Sequence, residues 1–239
     1  MRQTTAEHIQ NRVAVVIPAY NPGTIIVDIL LGVAEQVPRE NILVVDDGST
    51  DHTADRVKQL GIPLYQHDCN RGKGAALASG IRLQLDRGAE LILLMDADGQ
   101  HDPADIPRFL QRLTGEYDLM VGDRSAARGE MPRLRKFSNW LSSLIVSRIT
   151  GRHLPDSQNG FRLIRAAVLQ QINLVSKHFE YETELLLKAE RAGFRTGTLP
   201  IAGVYFAETS QIRKLRDTFR FIALICRSFF WGRRNVVRA

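Results

Sequence analysis

The chain predicts one α/β domain built on a mainly parallel, doubly wound sheet flanked by helices, followed by a C-terminal amphipathic helical tail. Three observations lead there. Its 239 residues and 44% apolar content supply one substantial core and fall short of two. The first half repeats a short β-branched run, a turn carrying Asp, Asn or Gly, and an amphipathic stretch. The runs lack apolar/polar alternation, the pattern of strands buried on both faces and joined by helical crossovers.

Residues 1–12 read as an extension, 13–210 as the folded domain and 211–239 as the tail. VAVVI (13–17) is followed by PAYNPG and a helix to about Gln36; NILVV (41–45) by DDGSTD and a helix to about Leu60. PLYQH (63–67) leads into NRGKG and a helix to about Arg87, and ELILLM (90–95) into DADGQHDP and a helix to about Thr114. YDLMV is a further strand ending at Val121. After the loop GDRSAARGEMPR a helix is expected from Leu134 to Ile149, then the loop GRHLPDSQNG, a strand FRLI and a helix through YETELLLKAERAG. FRTGTLPIAGVYF reads as two short strands around Pro200, and the sequence from Gln211 onward as helix.

A formal charge of +6 and a pI near 9.6 point to an anionic partner: a nucleotide, a nucleic acid, a phospholipid surface or a phosphorylated substrate. The N-terminal MRQTTAEHIQNR has no apolar h-region, so no secretory signal is read there. Apolar runs such as FIALIC fall far below the roughly 20 residues that span a bilayer. Cys69 and Cys226 fit no metal-ligand spacing. The expected location is cytoplasmic, with a peripheral position at the inner face of the membrane open to it and no transmembrane segment.

In a parallel sheet the strand-end loops share one edge, so Asn21, Asp46, Asp47, the 70–74 turn, Asp96 and Asp98 can converge on one ligand. Hard oxygen donors at Asp96 and Asp98, directly after an apolar strand, suit Mg²⁺ or Mn²⁺. An EF-hand fails, since DADGQHDPADIP lacks both the sixth-position glycine and the distal Glu. A haloacid dehalogenase motif fails because Gln100 stands where Thr or Val is needed and the acids follow the fourth strand. RGKG is no P-loop, since Gly74 follows the lysine and His67 stands where the first glycine belongs. No GxGxxG follows the first strand, which argues against a dinucleotide-dependent dehydrogenase. Asp102, just before Pro103, reads as a helix N-cap.

PAYN, VVDDGSTD, NRGKGAAL, DAD with Gln100, GDR at 122–124 and DSQNGFR at 156–162 occur in an order that resembles the family 2 inverting glycosyltransferases of GT-A, Rossmann-like fold. The nearest branch is similar to the dolichyl or polyprenyl phosphate mannosyl- and glucosyltransferases. The resemblance, from about Val13 to Ser210, implies a base and ribose pocket of Pro18, Tyr20, Val45 and Asp47, closed by Arg71, Gly72, Lys73 and Gly74. It implies metal ligation by Asp96, Asp98 and Gln100, with Ala97 lining the donor site. Arg124 and one of Arg133 or Arg135 would face donor and acceptor phosphates near Ser138, and Asp156 to Arg162 would wall the acceptor side. Asp98, Arg124, Arg135 and Asp156 are thus the expected catalytic set.

Transfer from a nucleotide-diphosphate sugar such as GDP-mannose or UDP-glucose builds negative charge on the departing diphosphate, which a metal and arginines are suited to stabilise. A polyprenyl phosphate acceptor is already an anion and needs no base. A hydroxyl acceptor, as in a glycan or glycolipid, needs one, with Asp156 the candidate. A nucleotide-binding, membrane-docking protein without turnover is the reading from another class; nucleic acid is not an expected partner. Two departures stand out: the branch usually has PxYNE where this chain has Pro22, and Tyr205 stands where an arginine is common, with ETSQ in place of a GxSK-like motif.

From Ser210 onward eight basic residues face the single acid Asp217, interleaved with Phe219, Ile222, Phe229, Phe230 and Trp231. This mixture suits an anionic lipid interface, or else a packed helix with a solvated basic face. His101 could join the metal site, but it reads rather as a solvated loop residue. Glu180, Glu182 and Glu184 read as a solvated helix face, with Glu182 the one able to support the acceptor loop.

Overall fold

The first strand, β1, Val13–Ala19, is buried on both faces, as its unalternating run requires. Val13, Val15 and Ile17 join one apolar layer, and Val16 joins the other. The computed structural model describes residues 13–113, 116–125, 133–202, 214–232 and 236–237, with only the backbone of 133–135 and 214–215. The extension 1–12 and the segment 203–213, with Tyr205, ETSQ and Arg213, lie outside these, as do the side chains of Arg133 and Arg135.

After β1 come α1 (Ile25–Ala34), β2 (Ile42–Asp46), α2 (Thr53–Gln59), β3 (Leu64–Gln66), α3 (Lys73–Asp86) and β4 (Leu91–Leu94). Then follow α4 (Ile106–Arg112), β5 (Leu119–Asp123), α5 (Arg133–Thr150), β6 (Arg162–Arg165), α6 (Ala166–Gln171), α7 (Glu180–Arg191), β7 (Thr196–Pro200) and α8 (Lys214–Ser228). The seven-stranded sheet has the order β3-β2-β1-β4-β6-β5-β7. Every neighbouring pair is parallel except those made by β6, which runs antiparallel to both β4 and β5.

Two features of this order position the site. The strand sequence reverses direction between β1 and β4, and such a switch point leaves a crevice beyond the strands' carboxyl ends. The PAYN and DADGQ loops leave from there. Because β6 is antiparallel, Arg162 at its start pairs with Leu94 at the end of β4 and with Val121 in β5. The loop before β6 is therefore delivered to the same edge as the loops after the parallel strands.

Near Pro200 the first of the two expected strands forms as β7, and most of the second, from residue 203 on, lies outside the described residues. Asp102 caps the 3₁₀ turn before α4, its Oδ1 accepting from Ala104 N at 2.9 Å. The expected solvated face of α7 is absent: from Tyr181 to Ala189 every residue is buried, with Glu182 at 3% and Glu184 at 0% exposure. Glu184 is satisfied there by Lys188 at 2.7 Å and by the backbone N–H groups of Val175 and Ser176. Helix α8 packs on α7, with Phe221 and Ile225 against the apolar layer that contains Leu185, Leu186 and Leu187, and Lys188 and Arg191 lie over the Trp231 ring. The tail's inner face is thus part of the domain, while Phe219, Ile222, Phe229 and Phe230 stay exposed. No helix of the described residues is long and apolar enough to cross a membrane.

Candidate active site

The loops after β1 and β2 are tied together by their polar residues. Asn21 adopts a left-handed φ of 49°, which Asn tolerates better than most residues, and its Oδ1 accepts from Thr50 N at 2.8 Å. Its own N–H donates to Ser49 Oγ at 2.9 Å, and Gly23 N donates to Asp51 Oδ2 at 3.0 Å. Pro18 is half-buried and Tyr20 is 37% exposed beside this seam.

Asp47 clamps the 71–74 turn. Its Oδ1 accepts from Arg71 N at 2.9 Å and its Oδ2 from Gly72 N at 2.7 Å, while His67 Nδ1 lies 2.7 Å from Oδ1. His67 Nε2 in turn meets Ser79 Oγ at 3.0 Å, which fixes the ring. Gly72 has φ 99°, and a Cβ there would strike the imidazole of His178. The turn therefore needs glycine both for its backbone and for the close approach of the segment before α7. Val45 is buried beneath it and the side chain of Arg71 stays exposed.

Behind this turn Lys73 is held between two acids. Its Nζ lies 2.6 Å from Asp96 Oδ1 and 3.1 Å from Glu182 Oε2. Burial alone would lower the pKa of Lys73, but Asp96 and Glu182 outweigh it and hold the ammonium above the usual lysine range. Burial likewise works against ionised Asp96; Lys73 and His101 outweigh it and keep this carboxyl well below the usual range. Gly160 backs the same carboxylate so closely that an added Cβ would collide with its oxygens. His101 is not solvated: it is 3% exposed, packs against the Phe161 ring at 5.3 Å and has Nε2 3.9 Å from Asp96 Oδ2.

A second buried cation completes the edge. Arg124, 6% exposed, donates from Nε to Asp156 Oδ2 at 2.9 Å and from Nη1 to Gln100 Oε1 at 3.0 Å. Its backbone N–H also reaches Asp156 Oδ2, at 3.3 Å. Asp156 is therefore engaged in holding an arginine. Arg162 is fully buried, donating to the carbonyls of Asn159 (2.7 Å), Ser157 (2.8 Å) and Glu182. Burial pushes its pKa down against the pull of Glu182, Asp96 and Asp156.

The structure thus joins Lys73 to Asp96 and Arg124 to Gln100 and Asp156, and places Asp47, Arg71 and Gly72 in one clamp. Asp98 is exposed, with Oδ1 accepting from Gln100 N at 3.0 Å; Ala97 packs against the core, and Ser138 is exposed on α5. Among the described residues no group of three His, Cys, Asp or Glu side chains could hold a metal by itself. Of the three expected ligands, Gln100 gives its oxygen to Arg124 and Asp96 gives one to Lys73, which leaves Asp98 the most open donor. Glu182, expected on a solvated helix face and able to support the acceptor loop, and Arg162, expected in the acceptor-side wall, both belong to the buried network. The available signal was Tyr181 and the run Leu185 to Leu187 on the same helix, apolar residues that mark a buried face beside Glu182.

The family model described as glycosyl transferase family 2 matches residues 14–172. Undecaprenyl-phosphate mannosyltransferase of Micrococcus luteus is 32% identical over 81% of this chain and 84% of its own length. Polyprenol monophosphomannose synthase of Mycolicibacterium smegmatis is 32% identical over 80% of this chain and 76% of its own. A UDP-N-acetylglucosamine–dolichyl-phosphate N-acetylglucosaminyltransferase of Methanococcus voltae is 29% identical over 80% and 84%. Among solved structures, glucosyl-3-phosphoglycerate synthase from Mycobacterium tuberculosis, in complex with Mn²⁺, UDP-glucose and phosphoglyceric acid, superposes with a TM-score of 0.72. That match covers 96% of this chain and 84% of the other at 18% identity, a likeness of fold.

Proposed function

This chain belongs to glycosyl transferase family 2, and from that premise we propose that it moves a hexose from a nucleotide-diphosphate sugar to a polyprenyl phosphate. The observation that carries the reading is the engagement of Asp156 by Arg124. That carboxylate, the base candidate for a hydroxyl acceptor, is committed to an arginine, whereas a phosphate acceptor brings its own anionic nucleophile. The relatives named for undecaprenyl, polyprenol and dolichyl phosphate support the same acceptor class.

The residues present fit a hard divalent ion of the kind that takes one or two carboxylates and fills its remaining positions with phosphate oxygens and water. Asp98, with Asp96 beside it, would hold Mg²⁺ or Mn²⁺; Gln100 would join only by leaving Arg124. When bound, such an ion supplies positive charge to the donor's diphosphate. The need is visible in the network, since Lys73 and Arg124 are already matched by Asp96, Glu182 and Asp156.

The chain's own residues then divide the work. The Asp47 clamp shapes the turn expected to close over the nucleotide. Lys73 keeps Asp96 ionised and fixed. Arg124 stands at the phosphate edge, where charge grows as the bond from the anomeric carbon to the diphosphate breaks and the bond from the acceptor oxygen forms. The exposed apolar and basic outer face of α8 would rest on an anionic membrane, the setting of a lipid-linked acceptor.

A thermal-shift panel of nucleotides and nucleotide sugars with Mn²⁺ tests donor binding, because a ligand for the folded state raises apparent stability. One nucleoside diphosphate and its sugar should stabilise the protein in a metal-dependent way. No shift from any member would contradict the donor assignment.

A further inference from the structure

Residues 172–179 join α6 to α7 without helix or strand, apart from a single bridge from Ile172 to Val237. They nevertheless lie against the turn assigned to the donor nucleotide. Ala75 N donates to Lys177 O at 3.0 Å, and the Phe179 ring centroid is 5.7 Å from Lys73 Nζ. The backbone of Lys177 and His178 comes so close to Gly74, and the His178 ring to Gly72, that neither position has room for a Cβ. A segment with no ladder of its own keeps one conformation only where other groups fix it.

Glu184 fixes it from inside α7. Its Oε2 accepts from Val175 N at 3.1 Å and from Ser176 N at 2.8 Å, while its Oε1 lies 2.7 Å from Lys188 Nζ, one turn further on. Lys188 also donates to Asn173 O, and Asn173 N donates to Val236 O at 2.9 Å. Glu184 and Lys188 are 0% and 2% exposed, and the Trp231 ring covers the pair, its centroid 4.7 Å from Lys188 Nζ. Taking two ions out of water costs several kcal/mol, and apolar side chains of similar volume hold a helix at least as well. Stability alone therefore does not account for the pair, whereas the two amides captured by the carboxylate do.

We propose that Glu184, with Lys188 as its counterion, is a positioning residue for donor binding: it captures the amides of Val175 and Ser176, and the segment so held braces the 71–74 turn in the shape that closes over the nucleotide. Asp47 holds the amides of Arg71 and Gly72 from one side, and the 177–178 backbone meets the start of α3 from the other. Glu184 acts through Lys177 and His178, not by contact with the donor. The inference rests on the donor assignment of that turn made above, and its test reads the turn separately from the nucleotide.

Two double substitutions remove the buried charges in different ways. Glu184→Leu/Lys188→Met takes away the acceptor, while Glu184→Gln/Lys188→Met retains an amide oxygen for the two N–H groups. Both should unfold close to the temperature of the unaltered protein. In the first, hydrogen exchange across residues 71–76 should quicken. Its affinity for UDP or GDP with Mn²⁺, whichever the unaltered protein binds, should fall about tenfold, because the nucleotide must then order the turn itself. The donor KM should rise with it while kcat changes little. The second should recover both the protection of the turn and the affinity. Equal protection of the turn in all three proteins would overturn the proposal, whether or not a nucleotide binds. So would a loss of affinity that the second variant shares in full, since the lost charge and not the captured amides would then be its cause. An unaltered protein that binds neither nucleotide indicts the donor reading, while the exchange comparison still decides whether Glu184 holds the turn.

Discussion

Lys73 Nζ stands 2.6 Å from Asp96 Oδ1, so the first acid of the DAD run meets an internal cation from the start of α3. The pair extends to Glu182 on α7, and one lysine fastens two helices to the catalytic edge. Both shifts favour the charged pair. The depressed carboxyl of Asp96 contributes stability above its unfolded value of about 3.9 and loses it as pH falls through the lower folded value. The raised ammonium of Lys73 contributes below about 10.4 and loses it as pH rises past its folded value. The native pair should therefore add no slope to stability between these limits.

Lys73→Met reverses that behaviour. Asp96 and the buried Glu182 then lose their shared cation, the Asp96 carboxyl moves up because burial is no longer offset by the lysine, and stability should improve as pH falls from neutral toward 5, against a loss of about 3–5 kcal/mol near neutrality. Thermal unfolding across pH checks this; curves parallel to those of the unaltered protein would show that Lys73 does not neutralise the acids.

Arg124→Lys keeps the charge but gives up the planar fork that meets Asp156 and Gln100 together. A fall in kcat of about a hundredfold is expected, with donor affinity nearly unchanged, because the arginine acts where charge develops. Equal loss in KM with kcat preserved would make it a ground-state binding group.

Asp156→Asn should leave measurable transfer to a phosphate acceptor, since the amide oxygen still accepts from Arg124. The loss should be smaller than for Arg124→Ala. Complete loss with the fold intact, judged by circular dichroism, would restore a base role for Asp156 and a hydroxyl acceptor.

Gly160→Ala places a methyl group on the Asp96 carboxylate. Overpacking of this kind costs about 1–3 kcal/mol, and the displaced acid should weaken Mn²⁺-dependent donor binding as well. Stability and nucleotide titrations on one sample separate the two effects.

The parallel strands were legible because two-sided burial leaves unbroken apolar runs such as VAVVI and LILL, and glycine or Asp marks each strand end. The direction of β6 was not legible: Arg162–Arg165 is too short for a pattern to show which way it runs. Asp102 could be read as a cap from its own neighbour Pro103. Glu182 and Glu184 could not be read as buried, because their partners Lys73 and Lys188 and the 175–176 amides decide it through tertiary contact. His101 was misread for the same reason, its burial depending on Phe161 in a distant loop. The DAD motif pointed to the site, while the commitment of Asp96, Gln100 and Asp156 to Lys73 and Arg124 emerges only when four loops meet at one edge.

The central claim is tested most directly by incubating the full chain with a panel of nucleotide sugars, a polyprenyl phosphate and Mn²⁺ or Mg²⁺, and reading products by mass spectrometry. The account predicts a glycosyl polyprenyl phosphate and a released nucleoside diphosphate in equal amounts, lost on metal chelation and in Asp98→Ala. Glycosylation of a hydroxyl acceptor with the polyprenyl phosphate untouched, or donor binding without any release of sugar, would contradict it.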